Sequence, residues 1–159
     1  RITRYNKPFK IFKFRTMVVN ADKIGTQITV GEDDPRITKV GKILRTTRID
    51  EFPQFFNILK GDMTLVGTRP EVARYVNEYS DEMMATLLLP AGVTSLASIY
   101  YKDEAELLDV AEDIDKVYVE EVLPAKMHYN LKAIEEFSFW GDIKVMFMTV
   151  FAVLGKEYI

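Results

Sequence analysis

Residues 49–61, Ile49-Asp50-Glu51-Phe52-Pro53-Gln54-Phe55-Phe56-Asn57-Ile58-Leu59-Lys60-Gly61, constrain the fold more than any other run in the chain. The run admits one short helix. Asp50 can cap its start, Pro53 is tolerated in a first turn whose N–H groups have no helical partner, and Gly61 suits the stop. A helix bounded in this way carries Asp50 and Glu51 at its positive end, where free backbone N–H groups favour a carboxylate and equally a phosphate. Arg45 and Arg48 precede the pair, and their fork-shaped donors suit phosphate oxygens. A carboxylate nucleophile, a second carboxylate as base and arginines for anionic oxygens make a phosphoryl-transfer site. An Asp before a helix is also an ordinary cap, and the run alone leaves both readings open.

The flanking sequence reads as short, punctuated elements. Asp34 and Pro35 predict a helix start, followed by Ile37, Val40, Ile43 and Leu44 at helical spacing. Residues 20–32 are polar and read as a loop. Residues 63–66 are apolar enough for a buried strand, and Gly67-Thr68-Arg69-Pro70 turns out of it. Residues 71–79 and 81–89 read as helical, Pro90-Ala91-Gly92 breaks them, and residues 93–101 suit a strand or a close-packed loop. Residues 102–115 are strongly acidic. Their spacing matches no Ca²⁺ loop, and a solvated helical face accounts for them. Residues 117–137 predict a helix bent or broken at Pro124, and residues 139–154 a last helix. Its stretch from Val145 to Leu154 is apolar but for Thr149, and is too short for the roughly 20 residues that span a bilayer. A core helix and an interfacial helix fit it equally. The expected fold is α+β: a single compact domain over residues 1–159, mostly helical with a few short strands.

Charge is unevenly spread. Up to Arg48 there are twelve Lys/Arg against four Asp/Glu, and after it nine against twenty, for a net charge of −3. The basic third points to an anionic partner. Residues 9–15 partly alternate apolar and basic, which predicts a strand presenting cations to a membrane or an anionic substrate, or a solvated edge. Aromatics among bases also suit single-stranded nucleic acid, but the acidic remainder disfavours that reading. There is no cysteine, which excludes disulfides, thiolate zinc and a cysteine nucleophile, and the lone His128 excludes a histidine pair.

Several motifs in order carry a resemblance. Lys13-Phe14-Arg15-Thr16-Met17, Asp34-Pro35-Arg36-Ile37-Thr38-Lys39-Val40-Gly41 and the run from Thr47 through Asp50-Glu51 to Thr68-Arg69-Pro70-Glu71 resemble the bacterial sugar transferases, the monotopic polyprenyl-phosphate phosphoglycosyl transferases. The resemblance covers nearly the whole chain. It implies a membrane-associated enzyme that moves a sugar 1-phosphate from a UDP-sugar to a polyprenyl (undecaprenyl) phosphate and releases UMP. It further implies Asp50 as the nucleophile that forms a phosphosugar intermediate, Glu51 as the assisting base, and Mg²⁺ held at Asp50. Arg45, Arg69, Lys13, Arg15 and Arg48 are implied as phosphate or nucleotide contacts. The implied setting is the cytoplasmic face of a bacterial inner membrane, in surface-glycan synthesis, without nucleic acid and with a homo-oligomer left open. A non-catalytic membrane-bound scaffold of a glycan assembly complex is the alternative. The chain opens on Arg1 rather than Met, and a hydrophobic re-entrant helix is expected to precede it. Thr68 replaces the first proline of the family's Pro-Arg-Pro. Ala91-Gly92-Val93-Thr94-Ser95-Leu96-Ala97-Ser98 departs from the usual Pro-Gly-Ile-Thr-Gly-(Leu/Trp)-Ala-Gln.

Overall fold

An N-terminal arm laid across two helices and a pair of parallel strands gives the molecule its framework. The computed structural model describes residues 1–24, 34–102, 104, 108, 111 and 113–153. Half of the acidic stretch at residues 102–115, most of the predicted loop at residues 20–32, and Leu154 lie outside the described residues. The architecture is α+β, with short strands in two two-stranded sheets and many short helices.

Strands β1 (Ile2–Thr3) and β2 (Lys7–Pro8) form a small antiparallel hairpin. Its turn holds Tyr5 and Asn6 at positive φ. Beyond it residues 9–16 pair with no strand, so the strand predicted at residues 9–15 is absent. Contacts with the helical body replace the sheet partner. Asn57, fully buried, accepts from Phe12 N at 2.9 Å and donates to Lys10 O at 2.8 Å. Phe14 N donates to Asp50 O, and Thr16 O accepts from Thr38 N.

Helix α1 (Lys39–Thr46) begins later than Asp34 and Pro35 predict. Thr38 caps it, its side chain accepting from Gly41 N at 2.9 Å. Asp34 is captured instead by Arg36, which meets both of its oxygens. Helix α2 (Gln54–Leu59) follows a 3₁₀ turn, Ile49–Glu51, and Gly61 ends the segment at positive φ as expected. Strand β3 (Met63–Val66) lies where predicted and pairs in parallel with β4 (Ala91–Thr94). Such pairing needs a crossover, supplied here by α3 (Ala73–Val76), α4 (Asp81–Met84) and the 3₁₀ turn Ala85–Leu88. At the end of the pair a Cβ on Gly92 would come within 2.6 Å of Gly67 C, so the crossing there requires glycine.

Residues 93–101 therefore split: β4 ends at Thr94, Ser95 caps α5 (Leu96–Tyr100) through Ser98 N, and neither a full strand nor a loop forms. Helix α6 (Ile114–Val117), a π-helical turn (Tyr118–Val122) and α7 (Leu123–Glu135) run on continuously. Pro124 sits in the first turn of α7, where a missing N–H is tolerated, so the helix expected to bend or break there continues, with only the hydrogen bonding changing to a π-turn before the proline. Tyr75, Leu108, Tyr118, Val122, Leu123 and Met127 form the core beneath them. Helix α8 (Phe139–Val153) buries Val145 and Met148 and joins β4 through Thr149 Oγ1 and Thr94 Oγ1, 2.7 Å apart. Its other face leaves Phe139, Trp140, Phe147 and Val150 exposed. Core and uncovered apolar faces thus coexist on this one helix. Among the described residues no helix is long and apolar enough to cross a membrane.

Candidate active site

The turn Ile49–Glu51 is made by Arg48, which ends the first helical segment with φ 56°. Left-handed backbone costs a non-glycine residue about 1–2 kcal/mol. Here it reverses the chain and brings the Arg48 guanidinium to 3.7 Å from Glu51 Oε1. Asp50 and Glu51 do not cap α2: no side chain caps that helix, and both carboxylates turn into the body, Asp50 with only 1% of its surface exposed.

The arm supplies the partner that the helix does not. Lys13 Nζ lies 2.8 Å from Asp50 Oδ2 and 3.6 Å from Glu51 Oε1. Neither oxygen of Asp50 has an aligned hydrogen-bond donor, although both are buried. Glu51 is also gripped by an arginine. Arg69, at the turn out of β3, places Nη1 3.2 Å from Glu51 Oε2 and a second, very short bond from Nη2 on Oε1. Nη1 also reaches Val93 O at the rim of hydrogen-bonding distance, tying the fork to β4. Burial pushes the Glu51 pKa up, but Arg69, Lys13 and Arg48 outweigh it and hold the group at about 2. Burial likewise opposes the charge on Arg69, and Glu51 more than restores it, so that pKa is raised.

The remaining arginines divide. Arg45 donates Nε to Thr16 Oγ1 at 2.9 Å, and burial lowers its pKa while the Asp50 charge works the other way. Arg15 is exposed and forms no ion pair with either carboxylate. The structure therefore brings together Lys13, Asp50, Glu51, Arg48 and Arg69, sets Arg45 beside them, and leaves Arg15 at the surface. Three cations, Lys13, Arg48 and Arg69, pair directly with the two carboxylates, an arrangement that favours an anionic ligand.

Sequence reading missed the residues that hold the arm. Asn57 falls inside the central helix and within the quoted motif run, but nothing local marks it as the residue that holds the arm. Gly41 closes the Asp34–Gly41 motif, but its role shows only in the structure, where a Cβ would lie 2.8 Å from Thr16 Cα and closer still to Thr16 O. Among the described residues no three His, Cys, Asp or Glu side chains are grouped to hold a metal ion.

Comparison with known proteins gives a consistent picture. Residues 1–156 match the bacterial sugar transferase family. The chain is similar to the galactosyl transferase CpsE of Streptococcus agalactiae serotype III (strain NEM316), 37% identical over 97% of this chain and 33% of that protein. It is similar to the UDP-glucose:undecaprenyl-phosphate glucose-1-phosphate transferase of Escherichia coli (strain K12), 38% identical over 95% of this chain and 31% of that protein. It is also 34% identical to the UDP-N-acetylgalactosamine-undecaprenyl-phosphate N-acetylgalactosaminephosphotransferase of Aeromonas hydrophila, over 97% of this chain and 34% of that protein. The chain thus spans about a third of the length of these curated relatives.

Proposed function

The chain belongs to the bacterial sugar transferase family, and from that premise we propose that its protein transfers a sugar 1-phosphate from a UDP-sugar to undecaprenyl phosphate, releasing UMP. Relatives of this chain are named for such transfers. The observation that carries the reading here is the Asp50 carboxylate. It is buried, has no aligned donor on either oxygen, and is surrounded by more cations than its charge and that of Glu51 require.

An Asp50 oxygen attacks the sugar-bearing phosphorus of the donor. The bond from that phosphorus to the UMP oxygen breaks, and the electron pair leaves with UMP. The acceptor's phosphate oxygen then attacks the same phosphorus, the bond to Asp50 breaks, and the carboxylate is regenerated. Lys13 and Arg48 are placed to neutralise phosphate oxygens during both steps, and Arg69 to hold an oxygen pair with its fork. Glu51 reads as an anchor for these cations rather than as the base expected from the sequence. A group held near pKa 2 is a weak proton acceptor. A phosphate monoester with a second pKa near about 6 has little need of one at neutral pH.

Mg²⁺ fits this site on chemical grounds. The ion is commonly bound through one or two carboxylates with substrate phosphates completing its shell, and the Asp50 carboxylate, which accepts no aligned hydrogen bond, supplies such a ligand. When bound, it would neutralise charge on the diphosphate. The setting proposed is the cytoplasmic face of the inner membrane. The exposed aromatic rings of α8 and the six basic residues within residues 1–15 support contact with an anionic lipid surface.

The test uses the full-length protein in lipid with Mg²⁺, undecaprenyl phosphate and UDP-sugars supplied one at a time. UMP release with one sugar, lost in Asp50→Asn, is the expected result. Release that persists in Asp50→Asn would remove Asp50 from the chemistry, and release with no sugar nucleotide would favour a scaffold role.

A further inference from the structure

Beside the carboxylate pair the surface opens into an apolar groove of about 370 Å³, lined by Phe14, Ile49, Phe52, Pro53 and Phe56. Small-molecule sites commonly begin near this size. The lining is bound to the site by covalent structure. Ile49 and Phe52 directly flank Asp50 and Glu51, and Phe14 follows Lys13 and donates its backbone N–H to Asp50 O at 3.0 Å. Four of the five side chains are large apolar groups at the surface: Phe14 is 51% exposed, Ile49 45%, Phe52 63% and Phe56 64%. These rings do not contribute to the core, which lies around Leu108, Leu123 and Met127.

Resting on the transfer reading above, we propose that this groove seats the first isoprene units of the acceptor, with its phosphate at the cations around Asp50. Charge complementarity selects this occupant. Lys13, Arg48, Arg69 and Arg45 favour an anionic head at one end, and the groove that starts one residue away offers no charge at all. Only an amphiphile with a phosphate joined directly to a hydrocarbon chain satisfies both ends. The sugar nucleotide is polar throughout and leaves the groove unfilled. Phe52 and Phe56 then determine acceptor specificity, recognising the chain next to the phosphate rather than the phosphate itself.

The experiment measures steady-state kinetics of the full-length protein in detergent micelles, with Phe56→Ser and Phe52→Ser, varying undecaprenyl phosphate and UDP-sugar separately. Removing one ring is expected to raise the acceptor KM roughly tenfold, since burying a phenyl side chain is worth about that factor in an equilibrium constant. In a two-step transfer through Asp50, kcat/KM for the donor should stay at the wild-type value, which a general loss of structure would not allow. Wild-type thermal unfolding of both variants checks the fold independently. An unchanged acceptor KM would overturn the proposal. So would an unchanged KM accompanied by weaker sedimentation with anionic phospholipid vesicles, which would assign the rings to the bilayer. Absence of turnover in the wild type with every sugar would refute the transfer reading itself, a result distinct from either of these.

Discussion

Gly41→Ala sets local helix propensity directly against tertiary packing. Gly41 lies in the first turn of α1, with no positive φ to demand glycine. Propensity alone predicts that alanine stabilises the helix, by up to about 1 kcal/mol. Packing predicts the opposite. The new Cβ would stand 2.7 Å from Thr16 C and 2.8 Å from Thr16 Cα, where comfortable carbon contacts lie at about 3.5–4.0 Å. The obstacle is backbone and cannot rotate away, so the arm must retreat by about 1 Å. That retreat stretches the 2.9 Å bond from Thr38 N to Thr16 O and the 2.9 Å bond from Arg45 Nε to Thr16 Oγ1. Overpacking costs about 1–3 kcal/mol and each weakened hydrogen bond about 1 kcal/mol, so the net loss should be about 2–4 kcal/mol. Urea unfolding should show a lower midpoint at constant slope, and thermal unfolding a fall of about 5–15 °C. A variant as stable as the parent, or more so, would refute the packing of arm on helix.

Other perturbations test separate joints of the structure. Asn57→Ala removes both hydrogen bonds to the arm and should cost about 2–3 kcal/mol, with the Phe12 amide exchanging its hydrogen faster; unchanged protection of that amide would contradict the clamp. Thr38→Ala removes the cap of α1 and should cost about 1 kcal/mol in urea unfolding, whereas Asp34→Ala should leave that helix's start unchanged by amide exchange. Glu51 has a folded pKa of about 2 against an ordinary 4.5, so its contribution is fully present above pH 4.5 and is lost as pH falls through 2. That shift is worth about 3 kcal/mol. The stability gap between the parent and Glu51→Gln should therefore narrow as pH is lowered from 6 to 3, and a constant gap would contradict the Arg69 pairing.

Where local chemistry decides the structure, the sequence was readable. Gly61 stopped the central helix, residues 63–66 formed the expected strand, and the last helix ran from Phe139. Where a distant partner decides it, local rules misled. Asp34 looked like a cap but went to Arg36, leaving Thr38 to start α1. Asp50 looked like the cap of α2 but turned inward to Lys13, 37 residues earlier in the chain. Residues 9–15 had a strand's alternation but found Asn57 and the Asp50 backbone in place of a neighbouring strand. The parallel pairing of β3 with β4, and the glycine it needs at Gly92, depend on contacts across an intervening helical crossover. Motif resemblance named Lys13, Asp50, Glu51 and Arg69 without this geometry. It gave no sign that Arg15 would face solvent, or that Glu51 would be held as a permanent anion.

The most direct test of the proposed chemistry is intact-protein mass spectrometry of the full-length protein, incubated with Mg²⁺ and its UDP-sugar in the absence of acceptor. The account predicts a mass gain of one sugar phosphate, mapped to the peptide containing Asp50, absent from Asp50→Asn and discharged when undecaprenyl phosphate is added. Product formation at the full rate with no adduct on Asp50, under conditions that trap acyl phosphates, would contradict it.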